Sequence, residues 1–87
     1  TKMQLFQNFP NPFNSSTTIR FAVPTRSSVN IIIYNSNGIL IENLLNGTVN
    51  AGVHDISWDA GNIPTGLYLL HFNLPQKSFV INLSHVK

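Results

Sequence analysis

The sequence predicts a small all-β domain, an antiparallel β-sandwich of about six to seven strands. Three observations carry the prediction. Apolar and polar residues alternate with period two in short runs along the whole chain. Clusters of Gly, Pro, Asn and Asp break these runs roughly every 8–12 residues, the spacing of sandwich and barrel strands. No stretch carries the 3.6-residue apolar period of a helix of ordinary length.

The chain opens on an entry segment, Leu5-Phe6-Gln7-Asn8-Phe9-Pro10-Asn11-Pro12-Phe13-Asn14. Proline fixes φ, lacks an N–H and pushes the residue before it to extended geometry. Phe6, Phe9 and Phe13 are too many large apolar groups for a free linker. The segment is therefore expected to be extended and pinned, its phenylalanines closing one end of the core. Residues 1–87 are expected to form a single domain, with 1–4 a linker remnant of a longer parent chain.

The first strand proper alternates Ile19, Phe21 and Val23 with Thr18, Arg20 and Ala22, and Pro24 stops it. Val29 to Tyr34 follows, apolar on both faces near its end, which predicts a central position. Asn35-Ser36-Asn37-Gly38 is a tight-turn signal, because Asn and Gly tolerate positive φ. Ile39 to Leu45 is the return strand, interrupted by Glu42 and Asn43, and Asn46-Gly47 and Ala51-Gly52 bracket an expected loop. Val53 to Trp58 places His54, Ile56 and Trp58 on one face. After the turn Asp59–Gly66, Leu67 to Asn73 places Tyr68, Leu70 and Phe72 on one face. Leu74-Pro75-Gln76-Lys77 turns again, and Phe79, Ile81 and Leu83 lead the last strand toward Val86. Two sheets in an immunoglobulin-like arrangement fit this pattern most economically, with an up-and-down barrel as the competitor.

Composition excludes several functions. The 87 residues bury roughly 64% of the unfolded chain's surface by area scaling, enough for one domain. Charged residues make up only 9%, against about 25% in typical domains, and the net charge is +2. Lys2, Arg20, Arg26, Lys77 and Lys87 are scattered, so no basic track exists for a phosphate backbone and no nucleic-acid partner is expected. Cysteine is absent, which removes disulfides and thiolate metal sites. No run is long enough for a membrane helix, so no membrane insertion is expected, and the N-terminus carries no signal-peptide pattern.

Residues able to do chemistry are few. His54, His71 and His85 lie on three strands without ligand spacing, so no metal or cofactor is expected. Glu42, Asp55 and Asp59 are the only acids; Asp59 between Trp58 and Gly61 reads as an Asx-type turn and not as half of a catalytic pair. No nucleophile elbow, phosphate loop or zinc-protease motif occurs, and no enzyme activity is expected. Trp58, Tyr34 and Tyr68 suit a sugar-binding platform only if Trp58 is exposed; its strand pattern puts it in the core. The triplets at Asn14, Asn46 and Asn82 match the glycosylation pattern, as chance allows in a chain rich in Asn, Ser and Thr.

Five motifs in order give the chain a resemblance. Leu5 to Asn14 is similar to the L-x-Q-N-Y-P-N-P-F-N opening of the type A C-terminal sorting domains of the type IX (Por) secretion system, through Gln7, Asn8, Pro10, Asn11, Pro12, Phe13 and Asn14. Ser16-Thr17-Thr18-Ile19 resembles the family's S-T-T-I, and Ile33 to Gly38 its I-Y-D-x-x-G, with Asn35 in place of Asp. Gly52 and His54 with Trp58-Asp59 resemble A-G-x-H-x-x-x-W-D, and Thr65-Gly66-Leu67-Tyr68 resembles S-G-x-Y. Ser15 stands where the family often has Pro, and no Arg or Lys follows Gly38. The same motifs also resemble the immunoglobulin-like domain of the flagellar hook-capping protein, a structural module.

The resemblance implies a non-catalytic signal at the end of a larger exported protein. Its partners would be the secretion machinery, a sortase-like processing enzyme and the covalently attached cargo. Its route would be the periplasm, then the cell surface or the medium. An edge strand offers unpaired N–H and C=O groups to a partner. The last strand is therefore the expected recognition element, with Lys77, Phe79, Ile81, Leu83, Val86 and Lys87 as its residues. Deleting Ser84 to Lys87 is expected to leave the domain mostly folded and to abolish export. A carbohydrate-binding or adhesive module and a structural spacer are the alternatives.

Overall fold

The computed structural model of the chain describes residues 2–86. Seven strands follow in order: β1 (Gln4–Leu5), β2 (Ser16–Val23), β3 (Ser27–Asn35), β4 (Leu40–Val49), β5 (Gly52–Asp59), β6 (Gly66–Asn73) and β7 (Ser78–His85). They form two sheets, one ordered β1-β2-β5 and the other β4-β3-β6-β7, with every strand pair antiparallel. The chain changes sheet between β2 and β3, between β4 and β5, and between β5 and β6. The all-β sandwich is thus as expected, and β3 sits centrally between β4 and β6 as its two apolar faces require.

Alternation decides what is inside. Ile19, Phe21 and Val23 of β2 meet Val29, Ile31 and Ile33 of β3 and Leu70 and Phe72 of β6, all with 1% or less of their surface exposed. Phe21 and Phe72 stand 5.0 Å apart between ring centroids. Trp58 is 1% exposed, flanked by Phe13 at 5.6 Å and Tyr68 at 5.9 Å. Its indole N–H, costly to bury alone, donates to Glu42 Oε1 at 3.1 Å. Glu42, which interrupts the apolar run of β4, therefore ties β4 to the opposite sheet.

Three local expectations change. The entry segment contributes β1, so Gln4 already pairs with Ala22. Asn46-Gly47 does not start a loop; β4 runs on to Val49, with Gly47 opposite Val29. The ten-residue edge strand instead accommodates its irregular sequence by register shifts at Ile31/Ile32 and Ile33/Tyr34. Phe9 is not core: it is 45% exposed, with the Arg20 guanidinium 5.2 Å over its ring.

The motif glycines have a backbone reason. Gly38, Gly52 and Gly66 hold φ values of 81°, 129° and 147°, where an L side chain is strained. At the β3–β4 turn, Asn35 Oδ1 accepts from the N–H groups of Asn37 and Ile39, completing the turn that Asn35 and Gly38 predict.

On the outer face of the three-stranded sheet, Arg20 lies opposite Asp55 and donates to its two carboxylate oxygens at 2.8 and 3.0 Å. These hydrogen bonds, opposed by desolvation and reinforced by the Arg20 charge, hold the Asp55 carboxyl below its ordinary value. The pair is exposed, so its contribution is small. That contribution is complete above the ordinary carboxylate range and is lost as pH falls through the lowered Asp55 value. Asp55→Asn is expected to lower Tm slightly at neutral pH, with the difference closing on acidification. Melting curves of both proteins across an acid pH series check this, and a difference that widens in acid contradicts it.

Candidate functional site

The entry segment does more than close the core. Its first part continues β1 along β2: Phe6 N–H donates to Arg20 O, and Phe9 and Thr18 exchange main-chain bonds at 3.1 and 2.8 Å. It then crosses to the other sheet. Phe13 forms a parallel bridge with His85, its N–H donating to Ser84 O at 3.0 Å and its C=O accepting from Val86 N–H at 2.8 Å. Residues 6–13 are thus a strap from β2 across to the outer edge of β7.

Polar side chains fix the strap. Asn8 is 2% exposed and Thr17 is 2% exposed. Asn8 Nδ2 donates to Thr17 Oγ1 at 2.9 Å and to Pro10 O at 3.2 Å, and Thr17 Oγ1 donates to Pro10 O at 2.8 Å. Gln7 Nε2 donates to Asn8 Oδ1 and to Asn82 O, at 2.6 and 2.9 Å. Asn11 Oδ1 accepts from Ser84 N–H at 3.1 Å. The peptide bonds Phe9-Pro10 and Asn11-Pro12 are both cis. The opening motif thus carries two kinds of contact: buried bonds that hold its own bend, and bonds that cover β7.

His85 is the residue that sequence reading undervalued. It is 3% exposed and stacks on Phe13 at 5.1 Å. Its ring nitrogens lie 2.9 Å from Asn14 O and 3.2 Å from Pro64 O. Tyr68 also donates its hydroxyl to Pro64 O. The strap, the 59–66 turn and the end of β7 therefore meet at one knot. Only the alternation of Leu83 and His85 on one face hinted at this.

The structure sorts the residues expected to be recognised. Leu83 is fully buried, and Phe79 and Ile81 are half-buried against the core. Their side chains face the sandwich, Leu83 fully covered and Phe79 and Ile81 covered in part. Lys77 is exposed in the turn before β7, and Val86 is 41% exposed beyond its end. Lys87 lies outside the described residues. The solvent face of β7 is made by the alternate residues Ser78, Val80, Asn82 and Ser84. A shallow cavity of about 270 Å³ beside Lys77 is lined by Met3, Pro24, Leu74 and Pro75 among others, with no acid, histidine or nucleophilic pair.

The other candidates do not assemble into a site. Each acid is committed locally: Glu42 to Trp58, Asp55 to Arg20, and Asp59 to the N–H of Gly61 at 2.9 Å, the expected Asx turn. His54 stacks on Phe21 at 5.2 Å, and its Nε2 lies 2.7 Å from Asn50 O. His71 packs edge-on against Tyr34 at 4.6 Å on the outer face of the four-stranded sheet. Among the described residues, no three metal-binding side chains converge and no helix is long and apolar enough to cross a membrane. Burial of Trp58 and Tyr68 removes the aromatic platform that a sugar-binding module needs.

With this geometry in view, the family model described as the secretion system C-terminal sorting domain matches residues 7–84. The match begins at Gln7 of the strap and ends at Ser84, where the strap bonds to β7. Comparison with curated proteins and with solved structures finds no match.

Proposed function

The chain belongs to the family of secretion system C-terminal sorting domains, and from that premise we infer that it acts by presenting β7 as its recognition edge. As a member it is a C-terminal sorting signal for type IX secretion, and the protein that carries it is exported. The proposed reading adds the surface and the route. β7 is an outer strand of the four-stranded sheet, which leaves backbone groups free for a partner of the machinery. Cargo attached ahead of the domain crosses the periplasm and reaches the cell surface or the medium. A sortase-like enzyme then separates the two. The domain contributes shape and hydrogen-bonding groups, and no catalytic step.

The observation that carries this reading is the position of β7: regular, at an edge, and the strand to which the family's opening motif is tied. The test is export of a fluorescent reporter fused ahead of the chain in a bacterium with a type IX system. The expected result is reporter outside the cell with the domain and inside without it, the difference vanishing in a strain lacking the machinery. Equal export with and without the domain overturns the reading.

A further inference from the structure

We propose that partner binding occurs by strand addition along the first half of β7 only, at Ser78–Ile81, because the strap already fills the second half. This rests on the sorting reading above and narrows it to one segment and one chemistry.

The backbone geometry makes the division. Ser84 turns both its N–H and its C=O outward, to Asn11 and Phe13. In an antiparallel ladder such outward residues alternate, and β6 pairs with β7 without a register break. Asn82, Val80 and Ser78 therefore also face outward. The C=O of Asn82 is taken by Gln7. Among the described residues, nothing bonds to the outward groups of Val80 and Ser78. The strap shows how the edge accepts a strand, and the open half continues the same line of groups. The strap itself stays in place, because Phe13 is 1% exposed and Asn8 is 2% exposed with its side-chain oxygen and nitrogen both hydrogen-bonded.

Comparison of the edges points the same way. β1 is two residues long. β4 carries Glu42 and two register shifts, and β5 carries the exposed acids Asp55 and Asp59; charges and bulges of this kind block edge pairing. β7 has no Asp, Glu, Lys or Arg from Ser78 to His85. On the solvent face, Ile32, His71 and Val80 line up across three strands, with Val80 52% exposed at the end of the row. On the inner face, Phe79 and Ile81 are only half-buried. The occupant that fits is an extended, uncharged protein segment with apolar residues on both sides of its pleat.

Proline at position 80 tests this. The Val80 N–H points away from β6, so Val80→Pro spares the ladder and removes a donor from the open edge. Val80→Thr keeps the N–H and the β-branched shape. Both are compared with the unaltered domain in the reporter fusion, with folding read by circular dichroism and Tm. The expected result is a folded Val80→Pro domain with export reduced about tenfold or more, and Val80→Thr exporting as the unaltered domain does. Ser78→Pro is the second variant, expected to act in the same way. Normal export by a folded proline variant overturns the inference while leaving the sorting reading intact. So does a concentration-dependent dimer that Val80→Pro abolishes without affecting export, since the edge would then serve self-pairing. Unfolding of both proline variants also overturns it, because it would place those N–H groups in the β6 ladder. Failure of the unaltered domain to export is a different outcome, and it removes the sorting reading itself.

Discussion

Phe13→Ala is expected to lower stability by about 3–5 kcal/mol, the range for deleting a buried aromatic side chain. Phe13 is 1% exposed and joins β5, the end of β7 and the strap. It packs against Trp58, stacks on His85, and its backbone ties the strap to Ser84 and Val86. The cavity stays largely open, because its walls come from both sheets and from the strap. A domain of this size holds about 5–15 kcal/mol in total, so much of the native population is at risk. At about 4–8 °C per kcal/mol, Tm should fall by about 12 °C or more. Thermal denaturation followed by circular dichroism decides it. A drop of only a few degrees would show that the strap is peripheral to the core.

Deletion of Ser84 to Lys87 is expected to destabilise the domain by about 3 kcal/mol or more, against the sequence-based expectation of a mostly intact fold. The deletion removes both main-chain bonds to Phe13, each worth about 1 kcal/mol, and the stack on Phe13, worth about as much again. It also removes His85 from its buried position between Asn14 and Pro64. Loss of export in such a truncation therefore mixes unfolding with loss of the signal. Denaturant titration of the truncated chain checks this: an unchanged midpoint contradicts it. The proline substitutions in β7 separate the two effects, which the truncation does not.

Much of the fold was legible because strand alternation is a local property. Ile19, Phe21 and Val23, or Tyr68, Leu70 and Phe72, face the core as their spacing requires. The turn at Asn35–Gly38 and the Asx turn at Asp59 were legible for the same reason, since their hydrogen bonds close within a few residues. Asn46-Gly47 misled because a dipeptide that favours a turn is also tolerated in an edge strand whose partner supplies the ladder. Phe9 misled because its neighbours in sequence are core or motif residues, while its own ring lies outside against Arg20.

The proposed recognition edge was legible only as a strand. Its order as the last strand marked it, and the alternation of Phe79, Ile81 and Leu83 marked its apolar side. Alternation alone does not say which side is buried when both carry apolar residues, as Val80 does here. The role of the opening motif was hidden more deeply. Gln7 and Asn82 are 75 residues apart, and Asn11 and Ser84 are 73 apart. No spacing rule links them.

By itself, the sequence determined the class of the fold, the inward face of most strands, the tight turns and the family of sorting domains to which the chain belongs. These depend on contacts within a strand or a turn, or on a motif order that is visible as written. The tertiary structure decided that the opening motif is a strap, that His85 joins it to the core, and that β7 is covered on one half and open on the other. Those are properties of segments more than 70 residues apart brought together by two packed sheets, and long-range contacts of that kind are set by the whole core and not by local pattern.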